Sequence, residues 1–217
     1  MSFPPAVSFG TSGLRGLADG FTPDVVYAHI GGFVETACAG ARSKEVAIGR
    51  DLRASSPKIA ALVGGALLAL GWKPVNAGAV PTPALAAYAL ERGIPAIMVT
   101  GSHIPPDYNG LKFYRPDGEL LKSDEEPIKT AARALSQAVP DFDPFEPEQD
   151  PTVRQAYAAR YTDAFSPDAL SGLKIAVFEH STVGRDILLE VLEALGASCT
   201  SVGRSEVFVA VDTEAVE

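Results

Sequence analysis

The sequence predicts an α/β fold: a mixed, largely parallel sheet flanked by helices, followed by part of a similar second α/β domain. Two observations lead to this prediction. Short apolar strands alternate with helical segments of about 10–15 residues, which is the rhythm of βαβ units. The strands are apolar almost throughout, as is typical of parallel strands that are buried on both faces.

The first helix is predicted over residues 24–42, where apolar side chains recur at helical spacing and Thr22 and Pro23 suit the start. Strands and helices then alternate. The predicted elements are a strand at 45–49, a helix at 56–70, a strand at 72–77, a helix from 82 to the residue before Gly93, and a strand at 95–100.

An antiparallel edge is predicted next. Asp117 followed by Gly118 is a hairpin signal, and it lies between segments at 111–115 and 119–122 that suit strands. A helix is predicted to follow over residues 123–138.

An acidic, proline-rich segment at residues 140–151 divides the chain. It holds four prolines and five acidic residues, a composition that suits a linker better than a core. We therefore predict a first domain at residues 1–139 and an incomplete second domain at residues 152–217. In the second domain the pattern predicts a helix at 153–165, a strand at 173–178, an amphipathic helix that Gly196 ends, and a strand from 199.

Charge and composition exclude several classes of function. The 217 residues carry 18 lysines and arginines against 27 aspartates and glutamates, a net charge of −9. A nucleic-acid or membrane-surface binder needs a basic face, so neither partner is expected, whereas a few cations in one cleft still suit an anionic small substrate. The apolar segment at residues 59–72 is too short for a membrane span. Cys38 and Cys199 lack metal or redox spacing and are predicted to be reduced thiols. The start of the chain does not resemble a signal peptide, so a cytoplasmic location is expected.

The segment TGSHIPPDYNGLK at residues 100–112 is the strongest candidate for chemistry. It follows an apolar strand, and ligands of open parallel sheets bind at the carboxyl ends of the strands. Ser102 is expected to be exposed there beside His103, and Lys112 returns a cation toward them. A hydroxyl held on a stiff loop suits a serine that carries a phosphoryl group. The alternative is a surface loop whose Ser102 and His103 only make turn hydrogen bonds.

A second candidate is FGTSGLRG at residues 9–16, which combines three glycines, two hydroxyls and Arg15. This composition suits a nest of backbone amides around an anion, with the arginine fork on the phosphate oxygens. An ordinary glycine-rich turn is the alternative.

A third candidate is GRDLRASSP at residues 49–57. Arg50 and Arg53 come between a strand and the start of a helix, where they are placed to face a phosphate. Asp51 is predicted to have the structural role of tying these arginines into a salt-bridge network.

Together and in this order, these segments and the Pro-Thr-Pro at residues 81–83 resemble the alpha-D-phosphohexomutase family. That family includes phosphomannomutases, phosphoglucomutases and phosphoglucosamine mutases. The resemblance is close over residues 7–138 and looser beyond. The FGTSGLRGL opening and the TGSH–PPDYNG loop look most like bacterial phosphomannomutase/phosphoglucomutase members.

The resemblance implies an enzyme that moves phosphate between the anomeric and terminal hydroxyls of a hexose phosphate. Ser102 would be the phosphoserine, which phosphorylates the sugar and is rephosphorylated by the resulting sugar bisphosphate, the activator of the family. Lys112 matches the general acid/base, Arg15 a residue that steadies the transferred phosphoryl group, and His103 an orienting histidine. The resemblance also implies Mg²⁺, bound in part by the phosphate on Ser102. The residues expected to bind phosphate or substrate are Thr11, Ser12, Arg50, Arg53 and Asn109.

Two departures from the family pattern stand out. Ile104 replaces the asparagine that usually follows Ser-His, from which we expect a local packing change without loss of function. The DGDxDR loop, which carries the family's three Mg²⁺-binding aspartates, does not occur in the sequence. We therefore expect an N-terminal portion of a longer enzyme, whose C-terminal domains would be its partners. Alone, it is expected to show little or no mutase turnover.

Other functions remain open at this point. A phosphoglucosamine mutase, or a non-catalytic module that binds phosphate with the same loop, would carry these segments as well. A hydrolase with Ser102 as nucleophile and His103 as base is disfavoured, because adjacent loop residues rarely face each other and no orienting carboxylate is evident. A dinucleotide-binding role is disfavoured because no GxGxxG follows the first strand.

Overall fold

The computed structural model describes residues 7–10 and 12–209. Within these residues a seven-stranded sheet carries the first part of the chain. Its strands are β1 (Val7–Gly10), β2 (Gly13–Leu17), β3 (Glu45–Arg50), β4 (Lys73–Ala79), β5 (Ala96–Val99), β6 (Tyr108–Arg115) and β7 (Gly118–Glu119). The strand order is β1-β2-β6-β5-β3-β4, with β7 paired to β6.

The sheet combines parallel and antiparallel pairing. β3 pairs in parallel with β4 and with β5. β6 pairs antiparallel with β5 and with β2, and β1 pairs antiparallel with β2. The predicted mixed sheet flanked by helices is confirmed, and the carboxyl ends of β3 and β5 lie side by side, where the candidate loops begin.

The segment whose composition predicts an anion nest lies in the hairpin of β1 and β2, and the nest stays a prediction. Gly13 has a packing role in this hairpin. Gly13 has a φ of 144°, and a Cβ built on it would lie 1.9 Å from the carbonyl oxygen of Leu111. β2 can therefore approach β6 this closely only because residue 13 has no side chain.

Helices cover both faces of this sheet. Among the described residues the α-helices are α1 (Pro23–Thr36), α2 (Ser56–Ala69), α3 (Thr82–Arg92), α4 (Glu125–Leu135), α5 (Thr152–Thr162) and α6 (Arg185–Ala194). Residues of α1, α2 and α4 form one core with the buried Ile97 and Phe113. Residues of α3 and α5 form the other core with the buried Ala96 and Met98. Successive strand residues thus face opposite cores, which explains why these strands are apolar throughout.

The helix ends carry the signals that the sequence predicts. At the start of α1, Thr22 Oγ1 accepts a hydrogen bond from the amide of Val25 at 3.5 Å, which is the N-cap arrangement. Gly93 ends α3 in the left-handed conformation, with a φ of 62°.

Residues 140–151, called the acidic strap below, lie against α2 and β4. The amide of Phe145 donates to the carbonyl oxygen of Ala61 at 2.8 Å, and the amide of Asp150 donates to the carbonyl oxygen of Asn76 at 2.8 Å. The strap is therefore held by backbone contacts that its composition does not reveal. The domain boundaries placed at this segment stay a prediction.

A second, smaller α/β unit follows the strap and α5. It consists of β8 (Lys174–Phe178), α6 and β9 (Ser198–Val202), and its two strands pair in parallel. Ile187 and Val191 of α6 form a small core with Ala158 of α5. This arrangement agrees with the predicted strand, amphipathic helix and strand.

No helix in the part of the chain that the structure describes is long and apolar enough to cross a membrane. Cys38 and Cys199 are both free thiols, as the sequence predicts. Burial raises the pKa of the Cys38 thiol, so this group stays protonated within the core.

Substitution of Gly64→Ala is expected to destabilise the fold. Gly64 lies on α2 under the strap, and a Cβ built on it would lie 2.0 Å from the carbonyl oxygen of Phe145. The strap and the helix must then separate, at a cost of about 1–3 kcal/mol. The free energy of unfolding, measured by urea denaturation followed by circular dichroism, reports the change.

The control is Gly40→Ala, in the turn between α1 and β3, because a Cβ at Gly40 meets nothing within 4 Å. In a helix such as α2, alanine normally stabilises relative to glycine by about 0.5–1 kcal/mol. A Gly64→Ala variant that is more stable than the parent chain by this amount would therefore show that the strap does not press on α2.

Candidate active site

Ser102 lies in the loop after β5, at the carboxyl end of that strand, and is exposed. Its backbone has a φ of 54°, which is uncommon for a residue other than glycine. Its amide donates to Thr100 Oγ1 at 3.0 Å, and its Oγ lies 3.3 Å from His103 Nδ1. The serine hydroxyl is thus presented to solvent from a backbone that is held in an unusual conformation.

The guanidinium of Arg53 holds this loop from beneath. Only 1% of Arg53 is exposed. Its Nη2 donates to the carbonyl oxygens of Ser102 at 3.0 Å and Ile104 at 2.6 Å. Its Nη1 donates to those of Pro105 at 2.6 Å and Tyr108 at 3.0 Å. One planar cation therefore fixes the backbone on both sides of the turn that carries the serine.

Asp51 holds the arginine and the start of the loop. Its carboxylate lies 3.3 Å from Arg53 Nε and accepts hydrogen bonds from Thr100 Oγ1 at 2.9 Å and from Ser56 Oγ at 2.5 Å. Burial lowers the pKa of Arg53, and the charge of Asp51 acts in the opposite direction. A Cβ built on Gly101 would lie 2.4 Å from Arg53 Cζ, so the arginine fits only beneath a glycine. The structural role that the sequence predicts for Asp51 is confirmed for its salt bridge with Arg53, while no such contact joins Asp51 to Arg50 among the described residues.

The structure corrects the roles predicted for Arg53 and Asn109. Arg53 is buried beneath the loop, and its Nη1 and Nη2 atoms donate to loop carbonyls, so it does not face a phosphate. Asn109 is fully buried, and its Nδ2 donates to the hydroxyls of Ser55 at 2.8 Å and Ser56 at 2.9 Å. Asn109 therefore ties β6 to the start of α2 and is not placed to touch a substrate.

A cavity of about 430 Å³ brings four of the predicted residues together. Ser12, Arg15, Ser102 and Lys112 all line it. Arg50 is half-buried at the end of β3 and does not occur among the described residues that line this cavity. Thr11 lies outside the described residues.

Strand register explains why two cations reach this cavity. In the pairing of β2 with β6, Gly13 lies opposite Lys112 and Arg15 lies opposite Gly110. Residues two apart on a strand share a face, so Arg15 and Lys112 are diagonal neighbours on the same face of the sheet. The hairpin thus delivers Arg15 to the cavity that Ser102 and Lys112 also line.

Lys112 is fixed by two neighbours. Its Nζ lies 3.1 Å from Glu119 Oε1 and 4.9 Å from the centre of the Tyr114 ring. Burial acts to lower the pKa of Lys112, but hydrogen bonds to Tyr114 and Glu119 raise it, and the net pKa lies above the ordinary value. Lys112 is therefore a cation at neutral pH.

A second cavity, of about 380 Å³, lies on the other side of the serine. Ser102 and His103 line it together with His180 and Thr182, which follow β8. Sequence reasoning missed these residues, although a signal was present, because a polar Glu-His-Ser-Thr follows the strand at 173–178 much as Thr-Gly-Ser-His follows the earlier strand. It also missed Thr100, which links Ser102 to the carboxylate beneath it.

The described residues do not fit a protein-held Mg²⁺. Across residues 7–10 and 12–209, no group of three or more His, Cys, Asp or Glu side chains is placed to hold a metal. Asp51 lines the second cavity, but its oxygens already accept hydrogen bonds from Ser56 and Thr100 and pair with Arg53. A contribution of Ser102 to a metal site through a bound phosphate stays a prediction.

Substitution of Arg53→Lys is expected to release the serine loop. Lysine presents a point charge in place of the planar fork and cannot serve both pairs of carbonyls, which leaves buried acceptors unsatisfied. We expect a loss of about 2–4 kcal/mol in the free energy of unfolding and faster proteolysis within residues 102–108. Urea denaturation and timed digestion with mass spectrometry measure the two effects.

Arg133→Lys, at an exposed position on α4, is the matched control. If Arg53→Lys left both stability and loop proteolysis within the range of this control, Arg53 could not be the anchor of the loop.

Comparison with known proteins agrees with this geometry. A family model described as "Phosphoglucomutase/phosphomannomutase, alpha/beta/alpha domain I" matches residues 6–138. A phosphomannomutase of Sinorhizobium fredii is 44% identical, over 96% of this chain and 45% of that protein. A phosphomannomutase of Salmonella muenchen is 41% identical, over 97% of this chain and 43% of that protein.

The fold has a counterpart among solved structures. A phosphoglucomutase/phosphomannomutase family protein from Burkholderia thailandensis matches with a TM-score of 0.68 at 24% identity, over 90% of this chain and 43% of that one. The chain spans less than half the length of the curated relatives described above. Since the family model covers more than half of the chain, including the serine loop, the hairpin and the buried anchor, the chain belongs to the phosphoglucomutase/phosphomannomutase family.

Proposed function

We propose that this chain is the phosphoserine-bearing portion of a hexose phosphate mutase, in which phosphate moves between the anomeric and terminal hydroxyls of the sugar. One observation carries the proposal: Ser12, Arg15, Ser102 and Lys112 line a single cavity. A nucleophilic hydroxyl, two cations and a second hydroxyl around one space are the groups that a transferable phosphoryl group requires. The chain's family membership supports a sugar phosphate as the substrate.

Ser102 is the proposed carrier of the phosphoryl group. In the forward step the bond between phosphorus and Ser102 Oγ breaks, and a bond forms between phosphorus and a hydroxyl oxygen of the sugar. The sugar hydroxyl gives up its proton, and the serine oxygen takes one. Rephosphorylation by a sugar bisphosphate reverses each of these changes, so the protein returns to its starting state.

Lys112 and Arg15 are the proposed electrostatic partners of this transfer. Lys112 is a cation whose pKa lies above its ordinary value, so it can stabilise negative charge on the departing serine oxygen and pass a proton to that much more basic oxygen. Arg15 is exposed at the edge of the cavity, where its planar fork suits two oxygens of the phosphoryl group. His103, 3.3 Å from Ser102 Oγ, is placed to orient that hydroxyl.

The remaining assignments extend beyond this chain. A sugar bisphosphate is the proposed activator, Mg²⁺ the proposed metal of the full-length enzyme, and the cytoplasm the proposed location. Mutase turnover by this chain alone is expected to be small, because we assign the choice of sugar to the C-terminal domains of the enzyme.

Phosphorylation of Ser102 is the first expected outcome. Incubation of the chain with glucose 1,6-bisphosphate and Mg²⁺ should add 80 Da, the mass of one phosphoryl group, and peptide mapping by mass spectrometry should place it on Ser102. Ser102→Ala should abolish the label, while Ser43→Ala, an exposed serine before β3, should keep it. An unmodified Ser102 in a folded chain would contradict the mutase proposal and leave a non-catalytic phosphate-binding module.

Loss of the Lys112 charge is expected to slow this phosphorylation. Lys112→Gln should lower the rate by about 10²–10⁴-fold, the usual contribution of a positioned acid or base. Quench-flow or timed mass spectrometry of the Ser102 peptide measures the rate. Lys58→Gln, at an exposed position on α2, is the control. A rate for Lys112→Gln within threefold of this control would remove Lys112 from the mechanism.

A further inference from the structure

We infer that residues 180–183, called the His180 loop below, form a second ligand-binding wall opposite Ser102, with His180 contacting the bound sugar phosphate. This inference rests on the proposed function. It adds a binding residue from the second α/β unit, whereas the residues assigned so far all come from the seven-stranded sheet and its loops.

The cavity that both walls line fits such a ligand. Its volume of about 380 Å³ lies within the range of about 300–1,000 Å³ that small-molecule sites occupy. Thr100, Ser102 and His103 line one side, and His180 and Thr182 line the other. Asp51, Val183, Phe208 and Val209 also line it. The carboxylate of Asp51 is already engaged by Arg53, Ser56 and Thr100, so the hydroxyl and imidazole groups of the two sides are the ones that suit the hydroxyl and phosphate oxygens of a ligand.

The two walls are built by the same backbone device. Ser102 and His180 are the non-glycine residues with positive φ among those described, at 54° and 46°. Each follows a strand, and the carbonyl oxygen of each accepts a hydrogen bond from a buried arginine. Arg53 Nη2 donates to Ser102 at 3.0 Å, and Arg185 Nη1 donates to His180 at 2.9 Å. Such strained conformations persist only where the surroundings enforce them, and they cluster at functional sites.

Residues 205–209, which follow β9, connect the two walls. The ring of Phe208 lies over Arg53, 4.3 Å from Cζ to the ring centre. Arg185 also donates to the carbonyl oxygen of Ser205 at 2.5 Å, and the amide of Val209 donates to Ser181 Oγ at 3.0 Å. The same short segment therefore touches both arginine anchors, which fixes the His180 loop relative to the serine loop.

The ring of His180 is oriented for contact with a ligand. Its Nδ1 lies 3.1 Å from Ser181 Oγ, and the ring packs against Phe178 with 5.8 Å between ring centres. With Nδ1 engaged by the neighbouring hydroxyl, Nε2 is the nitrogen that we assign to the ligand. If His180 had only a structural role, it would need only its backbone conformation, which asparagine also tolerates. Substitution of His180→Asn therefore separates a structural role from a role of the imidazole ring in binding.

The experiment follows the three histidines of the full 217-residue chain by NMR, with ¹³C-labelled imidazole rings. Mannose 6-phosphate is titrated into the parent chain and into His180→Asn, which keeps a residue that tolerates positive φ but removes the ring. We expect the His103 and His180 signals to move with one shared Kd, while His29, buried in α1, serves as the internal reference. In His180→Asn the Kd read from His103 should rise about tenfold, the loss of one hydrogen bond to a charged group.

Controls separate binding from folding and from the mutase reaction. Lys44→Gln, before β3 at the opposite end of the strands, should leave the Kd unchanged. If His180→Asn shifts the His29 signal and so perturbs the fold, Thr182→Val on the same wall is measured in its place and should weaken binding severalfold. Ser102 phosphorylation is assayed in parallel on the parent chain.

Three results decide the matter. A silent His180 signal, or a Kd for the wall variant within twofold of the parent, overturns the inference even if Ser102 is phosphorylated. If the His103 and His180 signals both respond and the wall variant binds more weakly, the inference is supported. It is supported even if Ser102 stays unmodified, and in that case only the mutase proposal fails. If neither histidine responds and Ser102 stays unmodified, both proposals fail.

Discussion

The serine loop depends on one buried charge, the guanidinium of Arg53. Taking a cation out of water costs several kcal/mol unless partners replace the lost solvation. The loop carbonyls and the carboxylate of Asp51 are those partners. The dependence is mutual, because the loop adopts the conformation that satisfies the arginine, and the arginine holds the left-handed backbone of Ser102. A phosphoryl carrier must return to one position after every transfer, and a loop fixed from beneath by four carbonyl contacts has that property.

The periodicity of apolar residues predicts the helices and the inner strands because it reports directly on burial, and there the structure agrees, except that α1 ends at Thr36 where the pattern predicts residue 42. Periodicity carries no information about contacts between distant parts of the chain. An arginine at a strand end looks the same in sequence whether it faces a phosphate or a set of carbonyls, and the carbonyls that Arg53 binds lie 49–55 residues away. The composition around Gly13 predicts an anion nest or a turn but not its packing role, because the close approach of Leu111 is also non-local. Ser12, Arg15, Ser102 and Lys112 were found because their chemistry stands out in short motifs.

Net charge and local charge are separate properties of this molecule. The chain is acidic, at −9, and its strap concentrates acidic side chains along the edge at β4. The cations Arg15 and Lys112 are instead carried on two paired strands that border the serine cavity. Glu119 neutralises part of that charge but also contributes to raising the pKa of Lys112. The site therefore places two cations close together on an acidic chain, which favours an anionic ligand at close range.

The register of β2 on β6 decides whether Arg15 faces the cavity that Ser102 lines. Because side chains alternate across a sheet, a shift of this register by a single residue would turn Arg15 to the opposite face and away from the cavity. Insertion or deletion of one residue in this hairpin would therefore remove Arg15 from the cavity altogether, and would not merely shift it slightly. The loop between α1 and β3 is different, since its residues border neither of these cavities. Cys38 and Arg42 fix its two ends, but a Cβ at Gly40 between them would meet nothing within 4 Å. Within one sheet, the chain thus has a segment whose length is exactingly constrained beside one that can accept insertions.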